Sequence, residues 1–301
     1  MNYVQLLIPD FSMILCGLLL CRGTKLNRSV WQPVEALVYF FLFPVLLFHS
    51  IVKSPLDFGA ASSLIAAGLL LVACGVALVW SLPWWPWLGR HVEPRLHAGA
   101  AQIGYRFNSY IALALTERLA GAPGLLLVAV LIGFCVPFIN VAAVWPMARG
   151  NGRGLWPELV RNPFIIATLL GLTANQLGLV IPAWLEPTVA RIGSSALPLG
   201  LMAAGAGLQF ARLLDAKAMA VALLTVRHLA LPLVAWGLSH WFALAPQQAT
   251  VLMVYSALPT AASAYVLAAR MGYDGAYVAS LVTLSTLLGM VSLPFAIWLL
   301  G

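Results

Sequence analysis

Apolar runs of about twenty residues, parted by short polar turns, set the pattern of this chain. A helix rising about 1.5 Å per residue needs about 20 of them to cross a bilayer. On that measure the chain is predicted to hold ten helices, at 3–21, 32–52, 59–82, 95–117, 121–145, 161–181, 187–210, 217–242, 247–270 and 275–300. The longest turn, PMARGNGRGLWPEL from Pro146 to Leu159, is rich in glycine and charge. The expected division is a first five-helix unit at 1–145, a connecting loop at 146–160 and a second five-helix unit at 161–301.

Composition narrows the class further. With 62% hydrophobic and 8% charged residues the chain falls outside the balance of a soluble domain and reads as an all-α, polytopic membrane protein whose main partner is the lipid bilayer. Its net charge of +7 is then a question of which loops carry it, not a sign of nucleic-acid binding. If the N-terminus is outside, twelve Lys and Arg fall in cytoplasmic loops (Arg227 counted as interfacial), against Lys53, Arg118 and Arg191 on the other side. That excess predicts a multi-pass protein of the cell inner membrane with both termini outside, the loop at 146–160 being cytoplasmic. The apolar run Val4 to Leu20 is followed, not preceded, by Arg22, Lys25 and Arg28, so it reads as a retained helix rather than a signal peptide. Cys16, Cys21, Cys74 and Cys135 lack CxxC spacing and read as small apolar residues; no cofactor or metal site is expected. Paired aspartates, HExxH and aspartate-rich motifs are missing from the apolar runs, which argues against a membrane enzyme.

The two halves resemble each other when slid by about 155 residues. Pro9 and Gly17 recur as Pro163 and Gly171, Pro44 as Pro198, Tyr110 as Tyr265, and Pro137-Phe138 as Pro294-Phe295. Five helices per unit is an odd number, so the second unit enters the membrane the other way round. Inverted repeats are a transporter architecture, with the site at mid-membrane where broken helices meet.

Within the fourth segment the stretch GYRFNSYIALA, Gly104 to Ala114, holds Arg106 and Asn108 in apolar surroundings. An arginine at mid-bilayer costs from about 3 to over 10 kcal/mol, so it faces a protein interior or a wet cavity. The repeat partners this stretch with SALPTAASAYVLAA, Ser256 to Ala269, in the ninth segment, where Pro259 must kink or break the helix. Counted from the segment starts, the interruptions lie about 16 Å and about 18 Å deep, near the middle of the apolar core. Broken helices leave N–H groups free at the start of each second half, an anion cradle. Asn108 and Thr260 suit such starts; Ser109, Ser263, Tyr110 and Tyr265 add hydroxyls, Arg106 adds a forked cation that fits a carboxylate, and Asn140 approaches from the fifth segment. These residues with Pro259 make the predicted substrate site, for a small organic anion.

Several of these segments also resemble a known family. YFFLFPVLLF at Tyr39 to Phe48, YRFNSYIALAL at Tyr105 to Leu115, VPFINVAAVW at Val136 to Trp145, NPFIIATLLGL at Asn162 to Leu172 and SALPTAASAYVLAARMGYD at Ser256 to Asp274 are similar to the auxin efflux carrier family, which includes the plant auxin carriers and bacterial malate and malonate permeases. The resemblance implies ten helices in two inverted repeats, with helices 4 and 9 broken and crossing at the substrate. It also implies an elevator-type secondary transporter, in which helices 1, 2, 6 and 7 form a homodimerising scaffold and helices 3–5 and 8–10 carry the substrate. Family members often carry proline beside the asparagine of helix 4; here its neighbours are Phe107 and Ser109, with Gly104 the local weak point.

Other polar residues read more plainly. Asp10, after Pro9, is the coupling candidate, with a helix cap as its plainer reading; Glu35 follows Pro33 and suits the start of a helix. Arg227 is expected to snorkel to the cytoplasmic face, and WSLPWWPWLGR at Trp80 to Arg90 to form an interfacial belt. The alternatives are a sodium-coupled bile-acid-type carrier and a non-transporting ligand-binding sensor.

Overall fold

The computed structural model describes residues 3–53, 58–151, 163–207, 216–261 and 263–300, and every regular element among them is helical. In chain order these are α1 (Tyr3–Gly23), α2 (Arg28–Lys53), α3 (Phe58–Ser81), α4 (Pro94–Ala100), α5 (Ser109–Asn151), α6 (Pro163–Gln176), α7 (Glu186–Ala206), α8 (Lys217–Trp241), α9 (Pro246–Ala257), α10 (Ser263–Arg270) and α11 (Gly275–Trp298). α2 and α8 each contain one π-turn, at Val38–Leu42 and Val226–Ala230. Among the described residues five stretches are long and apolar enough to cross a membrane: Arg28–Lys53, Ser62–Trp84, Pro123–Ala148, Lys217–Trp241 and Gly275–Trp298.

The helices pack in two groups. α1 lies along α7, and the second half of α2 lies against α6 and α7. The first of these contacts depends on glycine. A Cβ on Gly205 would stand 1.8 Å from the Ile14 carbonyl oxygen, and one on Gly17 would stand 1.9 Å from that of Met202. Small residues let two backbones touch where lipid supplies no hydrophobic drive between helices. At the far end of α2, Lys53 Nζ donates to Glu186 Oε1 at 2.6 Å and His49 Nε2 lies 3.2 Å from the same oxygen, tying α2 to the first turn of α7. In the second group α9 packs against α5, α8 and α11, and α8 against α3.

Three boundaries differ from the sequence expectation, the first being the start of α2, at Arg28 rather than at residue 32. The turn expected between the fourth and fifth segments is where the sequence put it: two helices meet at Gly121, whose positive φ (φ 63°, ψ −159°) a side chain would oppose, and the range given for α5 covers both. The loop expected to start at Pro146 begins later, because helix α5 runs on to Asn151 with Met147 and Ala148 buried and Tyr273 Oη donating to the Met147 carbonyl; residues 152–160 lie outside the described residues. α6 stops at Gln176, five residues early, since Gly178 turns left-handed at φ 65° and the Asn175 amide caps the α2 carbonyls of Ile51 and Val52.

Large apolar side chains face outward over much of the surface, Leu169, Val291 and Trp298 among them, as lipid contact requires. In the expected aromatic belt, Trp84 and Trp87 are 80% and 83% exposed.

Candidate functional site

Two helices are interrupted. α4 begins with Pro94 in its first turn and the Glu93 carboxylate accepting from the Arg95 and Leu96 amides, then tightens into a 3-10 turn at Ala101–Gly104 and loses helical form over residues 105–108. The chain becomes helical again at Ser109, where Asn108 Oδ1 accepts from the Ile111 amide. α9 ends at Ala257, because Leu258 precedes a proline and takes extended geometry (ψ 141°), and α10 starts at Ser263. The break needs no proline in α4 and is fixed by one in α9.

The two breaks cross and satisfy each other. The Asn108 amide donates to the Pro259 carbonyl at 2.8 Å, and Thr260 Oγ1 donates to the Ile103 carbonyl at 2.8 Å. The Thr260 amide donates to Ser285 Oγ of α11 at 2.9 Å. Arg227 completes the set: Nε donates to the Leu258 carbonyl at 2.6 Å and Nη2 to the Tyr255 carbonyl at 3.2 Å, at the negative end of α9. Arg227 is 1% exposed, so the expected snorkelling does not occur. Carbonyls freed by the break 31 residues later in the chain claim its guanidinium, a partner that no local pattern around Arg227 reveals.

Beside the crossing is a cavity of about 80 Å³ between α2, α5, α7, α10 and the two breaks. One water needs about 10–15 Å³ by the same measure, so there is room for a small solute. Arg106, Asn108, Ser109, Asn140, Ser263 and Tyr265 line it, with Glu35 and Tyr39 from α2. Pro259 and Thr260 do not: they build the crossing behind the wall. Tyr110 lies in α5 and Asp10 in α1, but their side chains are outside the described residues.

The polar groups of the wall are unevenly matched. Arg106, 6% exposed, donates from Nη1 to Gln102 Oε1 at 2.9 Å and from Nη2 to Asn140 Oδ1 at 2.7 Å. Both acceptors are neutral, and among the described residues no carboxylate forms an ion pair with it. Guanidinium can only donate, so Oδ1 of Asn140 must face it, and Nδ2 of this 1%-exposed residue is left with no partner among the described residues. The cavity's carboxylate is already taken: Glu35 forms a two-pronged pair with Arg28, whose Nη2 also donates to Tyr265 Oη at 2.9 Å. Sequence reading placed Arg28 in a loop and gave Glu35 only a helix-start role. Gln102, which anchors both Arg106 and the Ala264 carbonyl, was missed, since a lone glutamine near a helix end carries no pattern. No cluster of three metal-ligating side chains occurs among the described residues.

A multi-pass helical membrane protein whose two broken helices cross beside a largely apolar cavity with a few polar side chains in its wall has the build of a transporter. The chain belongs to the membrane transport protein family, whose model matches residues 109–297, more than half of its length, and the resemblance to the auxin efflux carriers is to this same family. It is also 32% identical over 149 residues, 49% of each chain, to a protein of Methanothermobacter thermautotrophicus described as an uncharacterized transporter. The chain thus matches about half the length of that relative.

Proposed function

We propose that the protein is a secondary transporter of a small organic anion, a mono- or dicarboxylate, across the cell inner membrane. The observation that carries this reading is the pairing on one cavity wall of a buried guanidinium with no carboxylate partner and a buried amide whose Nδ2 has no acceptor, both among the described residues. Burying a charge or a donor unsatisfied is costly, and a carboxylate in the cavity would satisfy both at once. The crossed breaks fit the expected pair of inverted five-helix repeats, with the second inserted the other way and both termini outside. The cavity lies between the α1, α2, α6, α7 group and the helices packed around α9, which suits an elevator in which the second group moves past a scaffold that also forms the homodimer contact.

Backbone amides contribute less to the anion than the sequence suggested, since those of Asn108 and Thr260 are spent within the crossing. The side chains of Arg106 and Asn140 take their place. A thermal-shift screen of the purified protein against carboxylates tests this. A true ligand at about 100 times its Kd stabilises by about 2.7 kcal/mol and raises the midpoint. The shift should vanish in Arg106→Gln; an equal shift in that variant, or no carboxylate shifting the wild type, would refute the reading.

A further inference from the structure

Behind the crossing, on the π-turn of α8, His228 is buried at 9% exposure with both ring nitrogens engaged. Nδ1 lies 2.8 Å from Ser292 Oγ and Nε2 lies 2.9 Å from Ser285 Oγ. These serines do not stop at the ring. Ser292 Oγ donates to the Ala257 carbonyl, the last residue of α9, at 3.2 Å. Ser285 Oγ donates to Thr260 Oγ1 at 3.2 Å, and Thr260 Oγ1 in turn donates to the Ile103 carbonyl.

Making all of these contacts at once constrains the ring. A carbonyl only accepts, so the single hydroxyl hydrogen of Ser292 goes to Ala257 and Nδ1 must donate. Thr260 spends its hydroxyl hydrogen on Ile103, so Ser285 must spend its own on Thr260, and Nε2 must donate as well. With one hydrogen per bond, the whole set is made only by a doubly protonated ring. A neutral ring gives up either the contact to the end of α9 or the contact to the crossing.

We infer that His228 is the proton site of this carrier, taking up a proton from the cavity side as the anion binds and returning it when the anion leaves. The inference rests on the anion-transport reading above. The transfer is a simple one, imidazole plus H⁺ giving imidazolium, with no other reactant. Among the described residues the ionisable groups on the elements packed against the ring are few. Arg227 is its neighbour on α8, and Tyr255 on α9 lies against Arg227; the 3-10 turn Ala101–Gly104 offers no ionisable side chain, α3 only Cys74, and the contacts from α11 are the two serine hydroxyls. With Arg227 alongside, an imidazolium is a second buried cation, and an anion near Arg106 offsets it. Each species therefore raises the other's affinity, and by linkage the effect is reciprocal. The ring lies close to the cavity in chain terms: Ser285 bonds Thr260, and the next residue, Ala261, is on the cavity wall. π-turns inside α-helices often mark functional positions.

The test uses the full chain in detergent with histidine labelled at Cε1. The ring signal missing from His228→Gln should take its proton between pH 8 and pH 5, and at higher pH when malonate is present. A ring that stays neutral to pH 5 in both conditions would overturn the inference. Should His228→Gln not fold, Ser285→Ala serves: it keeps the ring, removes the Nε2 partner, and must displace that signal's titration. In proteoliposomes one pH unit can drive up to about tenfold malonate accumulation per proton. The ratio of uptake with and without the gradient should fall to about one in His228→Gln, and a retained ratio would overturn the inference. Malonate exchange absent from the wild type without any gradient would count against the anion reading for malonate, while the ring titration in the absence of malonate would still decide the histidine.

Discussion

Arg106 and Arg227 are both buried guanidiniums at the helix crossing, yet their partners separate their roles. Arg227 binds two backbone carbonyls at the broken end of α9, so it belongs to the fold. Leaving buried acceptors unsatisfied costs about 1–3 kcal/mol each. Arg227→Met should therefore lower stability by about 2–5 kcal/mol, seen as a drop in the thermal midpoint of the detergent-purified protein, and an unchanged midpoint would mean that those carbonyls find other donors. Arg106 binds two side-chain amides, Gln102 and Asn140, which can turn toward each other once it is gone. Arg106→Gln should leave the midpoint nearly unchanged and remove only the carboxylate-induced shift. Sequence reading distinguished these two arginines wrongly in one case. It found Arg106 because a charge deep in an apolar run is conspicuous, and it sent Arg227 to the surface because a proline five residues on looked like the entry of a helix.

At the scale of elements, the contact of α1 with α7 and the breaks in α4 and α9 decide the arrangement. Gly205→Ala puts a methyl where the Ile14 carbonyl stands, so α1 and α7 must separate. Overpacking of this kind costs about 1–3 kcal/mol, occasionally more, and the variant should melt earlier and lose cross-linking between cysteines introduced on α1 and α7. Melting and cross-linking equal to wild type would show that the helices do not approach so closely. The α9 break was legible because proline forces it locally. The α4 break was legible only through its polar residues, since it has no proline and is held by bonds to Pro259 and Thr260 across about 150 residues of chain. The turn between the fourth and fifth segments was legible, and Gly121 makes it with a single positive-φ residue. Glu35 was misread: the helix starts at Arg28, two turns ahead of it, so its carboxylate does not serve the helix start, and its pairing with Arg28 against Tyr265 was not visible.

For the whole molecule, membership of the membrane transport protein family and the packing of helices around the crossing point the same way. The cavity is bordered on one side by α2 and α7 and on the other by α5, α10 and the breaks, so a solute held there touches both groups of helices. Arg28 from α2 reaching Tyr265 on α10 bridges the same divide and is placed to hold the two groups together in this conformation. The most direct measurement is uptake of radiolabelled malonate, with malate in parallel, into proteoliposomes carrying wild type, Arg106→Ala and Asn108→Ala. Wild type should carry at least one of these anions, and both variants should lose that flux by at least tenfold, about 1.4 kcal/mol or more of binding, while remaining monodisperse and helical. Flux in both variants equal to wild type would contradict the assignment of this cavity as the place where the anion is held.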